Sequence, residues 1–362
     1  MFTNQVVSRL AQHPTPFYYY DMELLQETLQ VAKNAAEPYG FHVHYALKAN
    51  NNPRVLQAIK QAGFGADCVS GGEVDLAIQH GFDPGKVVFA GVGKSDDEIL
   101  LALNHGIFAF NVESKQELEI LNELAERSGK IAQVALRINP NVDAHTHHYI
   151  TTGLDENKFG IMQWELPACL QLLKQCPHVR LIGIHFHVGS QITDMQVFRS
   201  LCVKVNEINT WFEERGIRLQ VLNVGGGLGV DYHQPDSKPI ADFKAYFDVF
   251  HQFLTVNKGQ EVHFELGRAL VAQSGSLISR VLFVKNGIKK NFLILDAGMT
   301  ELMRPALYQA FHKVDRLTPT LPDDEMSKYD IVGPICESTD CFGKDMPLPV
   351  SKRGDLFAIR TA

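Results

Sequence analysis

The chain has 362 residues, 45% hydrophobic and 21% charged, a composition that excludes disordered, collagen-like and coiled-coil chains. Its 34 basic and 41 acidic residues leave a net charge of -7 with no Lys/Arg block, which argues against nucleic acid and anionic membrane as partners. No apolar run approaches the roughly 18 residues of a membrane span, and MFTNQVVSRLAQHPTPF has no apolar signal-peptide core.

Six cysteines (Cys68, Cys169, Cys176, Cys202, Cys336 and Cys341) are scattered without a C-x-x-C pair. They read as reduced thiols of a cytoplasmic protein, and no metal site is expected from them.

Along the chain, PFYYYD (16–21) comes first as an aromatic, strand-like segment expected to pair with a second domain. Eight β-rich apolar runs follow: 42–48, 65–70, 86–91, 107–112, 132–138, 181–188, 219–225 and 261–267. Segments 53–62, 72–80, 96–105 and 114–128 between them carry apolar residues at helical spacing. Ser114 is the expected N-cap of the last, with Glu117 completing a capping box.

Eight β-then-α units over roughly 240 residues are what a (β/α)8 barrel of the TIM type requires. The strands are almost continuously apolar, as buried parallel strands are. An open doubly wound sheet would place a G-x-G-x-x-G turn after the first strand, and none follows residue 48. Beyond about residue 270, runs such as SGSLISRVLFVKNG and KKNFLILDAG read as strands joined by turns. The fold class is therefore α/β plus all-β. The barrel is expected over 22–268 and a β domain over 1–21 with 269–362. TPTLPDDEMSK (318–328) reads as a surface connection.

Active sites of such barrels lie at the C-terminal ends of the strands. Those ends carry Lys48, Asp67, Arg137, His185, His187, Ser190, Gly225-Gly226-Gly227, Glu265, Gly267 and Arg268. A lone lysine there is ordinarily one that snorkels to solvent, but a desolvated lysine forms Schiff bases. Three glycines after the seventh strand let backbone N–H groups approach a phosphate, whereas a tight turn would ask for one. A Schiff-base lysine and a phosphate cradle together point to pyridoxal 5'-phosphate. That cofactor needs an acid at its ring nitrogen, for which Glu265 is placed, with a salt bridge to Arg268 as the competing reading. His187 is a candidate to stack on the ring, against the commoner fate of a hydrogen-bonded core histidine. His185 shares its parity.

YALKAN (45–50), GADCVSGGE (65–73), HFHVGSQ (185–191), NVGGGLG (223–229), ELGR (265–268), RPALYQAFH (304–312) and GPICESTD (333–340) together resemble the fold-type III pyridoxal-phosphate decarboxylases. Within that family they resemble the branch acting on diaminopimelate. The resemblance implies an alanine racemase/ornithine decarboxylase-like barrel followed by a β domain. It implies Lys48 as the covalent anchor of the cofactor, His187 on its ring and Glu265 at its nitrogen. Asp67 is placed on the cofactor side. Ser190, Gly225, Gly226, Gly227, Gly267 and Arg268 would hold the phosphate end. Arg268, Arg304, Tyr308 and Glu337 would bind the distal end of the amino-acid substrate, and Cys336 would act from a partner subunit as the acid that protonates the product. The implied assembly is a homodimer with sites at its interface. The implied reaction is decarboxylation of meso-2,6-diaminopimelate to L-lysine. Decarboxylation of ornithine, arginine or carboxynorspermidine is the alternative, followed by a non-catalytic cofactor-binding homologue.

Two departures stand out. Leu266 replaces the family's proline, which contributes no chemistry. The sequence stops at GDLFAIRTA (354–362), where the family continues into a glycine- and tyrosine-containing segment. The β domain is expected to be truncated there.

Overall fold

The computed structural model of the protein describes residues 2–142, 158–318 and 325–362; residues 319–324 of the expected 318–328 connection lie outside the described residues. The chain forms two compact units. One contains Gln26–Gly229 and Ala241–Leu270, the other Met1–Leu25, Val230–Ile240 and Val271–Ala362.

In the second unit the helix Asn4–Leu10 precedes β1 (Phe17–Tyr20). The first unit is a closed barrel of eight parallel strands in sequence order. They are β2 (His42–Ala46), β3 (Gly65–Cys68), β4 (Val87–Phe89), β5 (Ala109–Val112), β6 (Ala132–Arg137), β7 (Val179–His185), β8 (Val221–Asn223) and β9 (Glu261–Leu266). Seven lie inside the runs expected from sequence. β7 is shifted toward the N-terminus and ends at His185, so His187 stands on the loop beyond it rather than on the strand.

Local chemistry sets the helices between the strands. Asn52 caps Pro53–Ala62 by accepting from Arg54 N, and Gly63 ends that helix at φ 90°. Ser95 and Glu98 form a reciprocal capping box at the start of Asp96–His105. Ser114 caps Lys115–Arg127 as expected. The expected box there is only half made, because the Glu117 carboxylate accepts from Glu113 N and Lys94 Nζ instead. In the helix Phe243–Phe253, Phe243, Tyr246, Phe247 and Phe250 recur at helical spacing and are buried. Phe247 and Phe250 meet Phe264 of β9 edge-on at ring distances of 4.9 and 5.0 Å. Each such buried ring contributes about 1.5–3 kcal/mol.

The second unit is a sheet of β10 (Gly275–Asn286), β11 (Asn291–Leu295), β12 (Val314–Arg316), β13 (Met326–Val332), β14 (Cys341–Pro349) and β15 (Leu356–Arg360), with β1 added to β10. The pairing of β1 is antiparallel, Tyr18 opposite Leu277, which bears out the reading of 16–21. Leu277, Val281, Leu293, Ile331, Phe357 and Ile359 fill its core. No helix among the described residues is long and apolar enough to cross a membrane.

Candidate active site

The C-terminal ends of the barrel strands converge on Glu265. Its register partner across β2 is His44, and its side chain lies buried in the barrel. Asn111 Nδ2 and Asn223 Nδ2 each donate to Glu265 Oε1 at 2.8 Å, and His185 Nε2 reaches Oε2 at 2.9 Å. Burial pushes the carboxyl upward in pKa, but His185, through its charge and its hydrogen bond, with His187 and Lys48, holds it well below the usual carboxylate range. Glu265 is therefore an ionised carboxylate in a dry place. The salt bridge to Arg268 considered from sequence is not made; Arg268 Nε and Nη2 face Ser190 Oγ at 3.4 and 3.2 Å.

Lys48 does not end a strand. It lies on the 3-10 turn Leu47–Ala49 after β2, between buried Leu47 and exposed Ala49, and is itself exposed. Tyr45 Oη donates to Asn50 O at 2.8 Å and pins that turn. Desolvation is thus not what marks this lysine. Its charge acts on Asp67, His187 and Glu265. Asp67 sits on β3 opposite Ala46, buried. Burial first and the Glu265 charge second push its carboxyl well above the usual range, against the pull of Lys48. His187 is pushed well below the ordinary imidazole value by burial, then by Lys48 and Arg137. The structure thus brings Lys48, Asp67, His187 and Glu265 into one electrostatic cluster.

The loops after β7 and β8 are joined. Ile192 N donates to Gly227 O at 2.9 Å, and Gly229 N to Ile192 O at 2.9 Å. The three glycines all have a backbone reason. A Cβ on Gly225, at φ +70°, would stand 2.2 Å from Phe186 O, and one on Gly226 would stand 1.9 Å from Glu265 O. On Gly227, at φ +109°, it would stand 2.9 Å from Gly189 O. The sequence argument that a structural turn needs only one glycine therefore fails here. What remains is that the N–H groups of Gly226 and Gly227 donate to no protein acceptor among the described residues, beside the Ser190–Arg268 pair. Gly267 keeps a tight packing, its Cβ position 3.2 Å from the Cβ atoms of Ala46 and Ala49.

The remaining candidates belong to the second unit. Arg304 and Tyr308 lie on the short helix Arg304–Tyr308, both half-buried. Arg304 Nη1 is 2.9 Å from His312 Nε2, and His312 Nδ1 is 2.9 Å from Arg360 O. An arginine and a carbonyl on either side fix His312 as the neutral Nδ1–H form. Cys336 and Glu337 are exposed together on the loop between β13 and β14, so Cys336 is not the buried small hydrophobe that composition suggests. Asp340, buried, shapes that loop by accepting from Ile335 N at 2.8 Å and Met299 N at 2.7 Å. Asn111, Asn223, His312 and Asp340 were not found from sequence. The signal available was a polar residue interrupting an apolar strand end, as in FNV and LNV.

Residues 23–272 match the family described as pyridoxal-dependent decarboxylase, pyridoxal binding domain. The chain belongs to the pyridoxal-dependent decarboxylases. It is 54% identical to the diaminopimelate decarboxylase of Bacteroides thetaiotaomicron over 96% of this chain and 90% of that one. The Helicobacter pylori diaminopimelate decarboxylase, solved with L-lysine, superposes with a TM-score of 0.91 at 39% identity, covering 98% of this chain and 87% of that one. The M. jannaschii enzyme, also with L-lysine, gives 0.88 at 32% identity over 98% and 83% of the two chains.

As a member of this decarboxylase family the chain uses pyridoxal phosphate, and the residues present fit that group. An ionised, buried carboxylate suits a protonated ring nitrogen, and Glu265 Oε2 carries one donor among the described residues. Asp67 Oδ1 and His185 Nδ1 are buried polar atoms without a hydrogen-bond partner among the described residues. An exposed lysine amine stands at the same end of the barrel as the glycine loop.

Proposed function

We propose that this chain removes carbon dioxide from meso-2,6-diaminopimelate to give L-lysine, the last step of lysine biosynthesis. The ionised, buried Glu265, held by Asn111, Asn223 and His185, carries the reading, because it fits a barrel that must hold a cationic ring. The relative at 54% identity supports the choice of substrate.

Pyridoxal phosphate, when bound, supplies an aldehyde for amines and an electron-accepting ring for the pair left by departing carbon dioxide. Lys48 Nζ would hold that aldehyde between turnovers and yield it to the substrate amine. Glu265 Oε2 would keep the proton on the ring nitrogen, and His187 would stack on the ring. Ser190, Arg268 and the N–H groups of the loop Gly225–Gly227, closed by Gly267, would hold the phosphate end, with Asp67 on the cofactor side. Arg268 and Arg304 would meet the distal carboxylate in bidentate fashion, and Glu337 and Tyr308 the distal ammonium and its surroundings. Cys336 Sγ would deliver a proton to the substrate Cα from a second copy of the chain, which makes the working unit a homodimer. Residues 22–268 read as the cofactor-binding domain, and 1–21 with 269–362 as the β domain. The free cysteines fit a reducing compartment, the cytoplasm.

The test is carbon dioxide release from meso-diaminopimelate beside ornithine and arginine, with pyridoxal phosphate added. Release from diaminopimelate alone, with lysine as product, is expected. Release from ornithine or arginine instead would overturn the role given to the arginines. No release from any of the three would overturn the catalytic reading.

A further inference from the structure

At the opposite end of the barrel from Lys48, the N-terminal ends of β2 and β9 carry a second cluster. His42 and His263 are register partners on adjacent strands, and Glu261 precedes His263 by two residues on the same strand face. Glu261 Oε2 lies 3.2 Å from His263 Nε2 and 3.9 Å from His42 Nε2. Behind them, His263 Nδ1 is 2.8 Å from His44 Nε2, and His44 Nδ1 is 3.0 Å from Lys86 O.

The protons of this chain of contacts can be counted. Lys86 O at one end and the Glu261 carboxylate at the other only accept. Between them lie three contacts and two imidazoles, and neutral imidazoles bring one N–H each. Two N–H groups serve two of the three contacts; with His44 Nδ1–H given to Lys86 O and His263 Nδ1–H given to His44 Nε2, the third is left without a proton. His263 Nε2 then presents a lone pair to a carboxylate oxygen at 3.2 Å. A divalent cation between them would take the lone pair and the carboxylate oxygen together. His42 Nε2 beside the same oxygen adds a third ligand atom, and the three lie within 4.8 Å of one another. A tetrahedral ion with bonds of about 2.0–2.2 Å keeps its ligand atoms roughly 3.3–3.6 Å apart.

We propose that His42 Nε2, Glu261 Oε2 and His263 Nε2 form a site for a divalent transition metal of the zinc type, with water as the fourth ligand. His44 is its outer support, fixing the tautomer of His263 through His44 Nε2 and itself through Lys86 O. His42 and Glu261 are exposed and line a cleft of about 440 Å³, which gives the ion and its water a way in. The expectation of no metal rested on cysteine spacing and on the lack of a histidine cluster near the cysteines, and it does not reach residues that only the β2–β9 pairing brings together.

The test uses chelator-treated holoenzyme without a histidine tag, titrated with Co²⁺. One Co²⁺ per chain is expected, with the intense visible bands of a tetrahedral site and displacement by Zn²⁺. Glu261→Gln, at an exposed position, raises the Co²⁺ dissociation constant by about 10–100-fold or more, His42→Ala acts alike, and decarboxylation by both variants is unchanged. Equal Co²⁺ binding by wild type and Glu261→Gln would overturn the site. So would the absence of Co²⁺ binding by the wild type.

Discussion

His185 Nε2 lies 2.9 Å from Glu265 Oε2, inside the barrel, with both side chains buried. The pair ties the end of β7 to β9, while Asn111 and Asn223 tie β5 and β8 to the other oxygen. Four strands thus fix one carboxylate. Burial opposes its charge, yet His185, His187 and Lys48 outweigh burial, so Glu265 stays ionised throughout the working pH range. Any acidic fall in activity comes from another group. Glu265→Gln keeps the size and removes the charge, and it is expected to lower turnover by about 100-fold or more while cofactor titration still reaches one equivalent. Undiminished turnover in this variant would remove Glu265 from the mechanism.

His187 gives a pH prediction on stability. Its folded pKa lies well below the ordinary 6.5, through burial, Lys48 and Arg137. Between the folded value and 6.5 the unfolded chain binds a proton that the folded one does not. Stability conferred above 6.5 is therefore lost as the pH falls through that window. Urea unfolding of the cofactor-free chain at about pH 7.5 and about pH 5.5 reads this. His187→Phe should shrink the gap between the two midpoints. A gap equal to that of wild type would mean that His187 already carries its proton when folded.

The glycine loop separates backbone demand from ligand demand. Gly226 has no room, since a Cβ would meet Glu265 O at 1.9 Å, whereas Gly216, at φ +74°, has nothing within 4 Å. Gly216→Ala should cost roughly 1–2 kcal/mol, the price of left-handed backbone alone. Gly226→Ala should cost more than about 3 kcal/mol, by pushing the loop off β9. Similar midpoints in denaturant for the two would show that the β8 loop yields freely, and that its glycines serve the ligand rather than the fold.

The barrel was legible because its signal is redundant. Eight apolar runs, the first four each followed by a segment of helical period, leave one closed arrangement, and a shift such as that of β7 does not disturb it. Lys48, His187, Ser190, Glu265 and Arg268 were legible because each is a polar residue at or just beyond the C-terminal end of a strand. What the sequence could not reveal is which oxygen meets which donor. Asn111 and Asn223 are far from Glu265 in sequence, and only closure of the barrel puts both amides on Oε1. Glu117 shows the same limit locally: its spacing from Ser114 spells a capping box, but Lys94, from another loop, takes the carboxylate. The His42–Glu261–His263 cluster was invisible because it exists only where β2 meets β9.

The proposal that two subunits share each active site makes a prediction that no single-chain role can imitate. Lys48 belongs to the barrel unit, and Cys336 stands exposed on a loop of the other unit. Lys48→Ala and Cys336→Ala should each be nearly inactive alone. Mixed and re-equilibrated, half of the dimers pair one variant with the other. In such a dimer one site carries both lesions and the other carries neither. Activity should therefore return to roughly a quarter of wild type, measured as carbon dioxide release against the mixing ratio. A mixture as inactive as its parts would place Cys336 and Lys48 of each working site on the same chain.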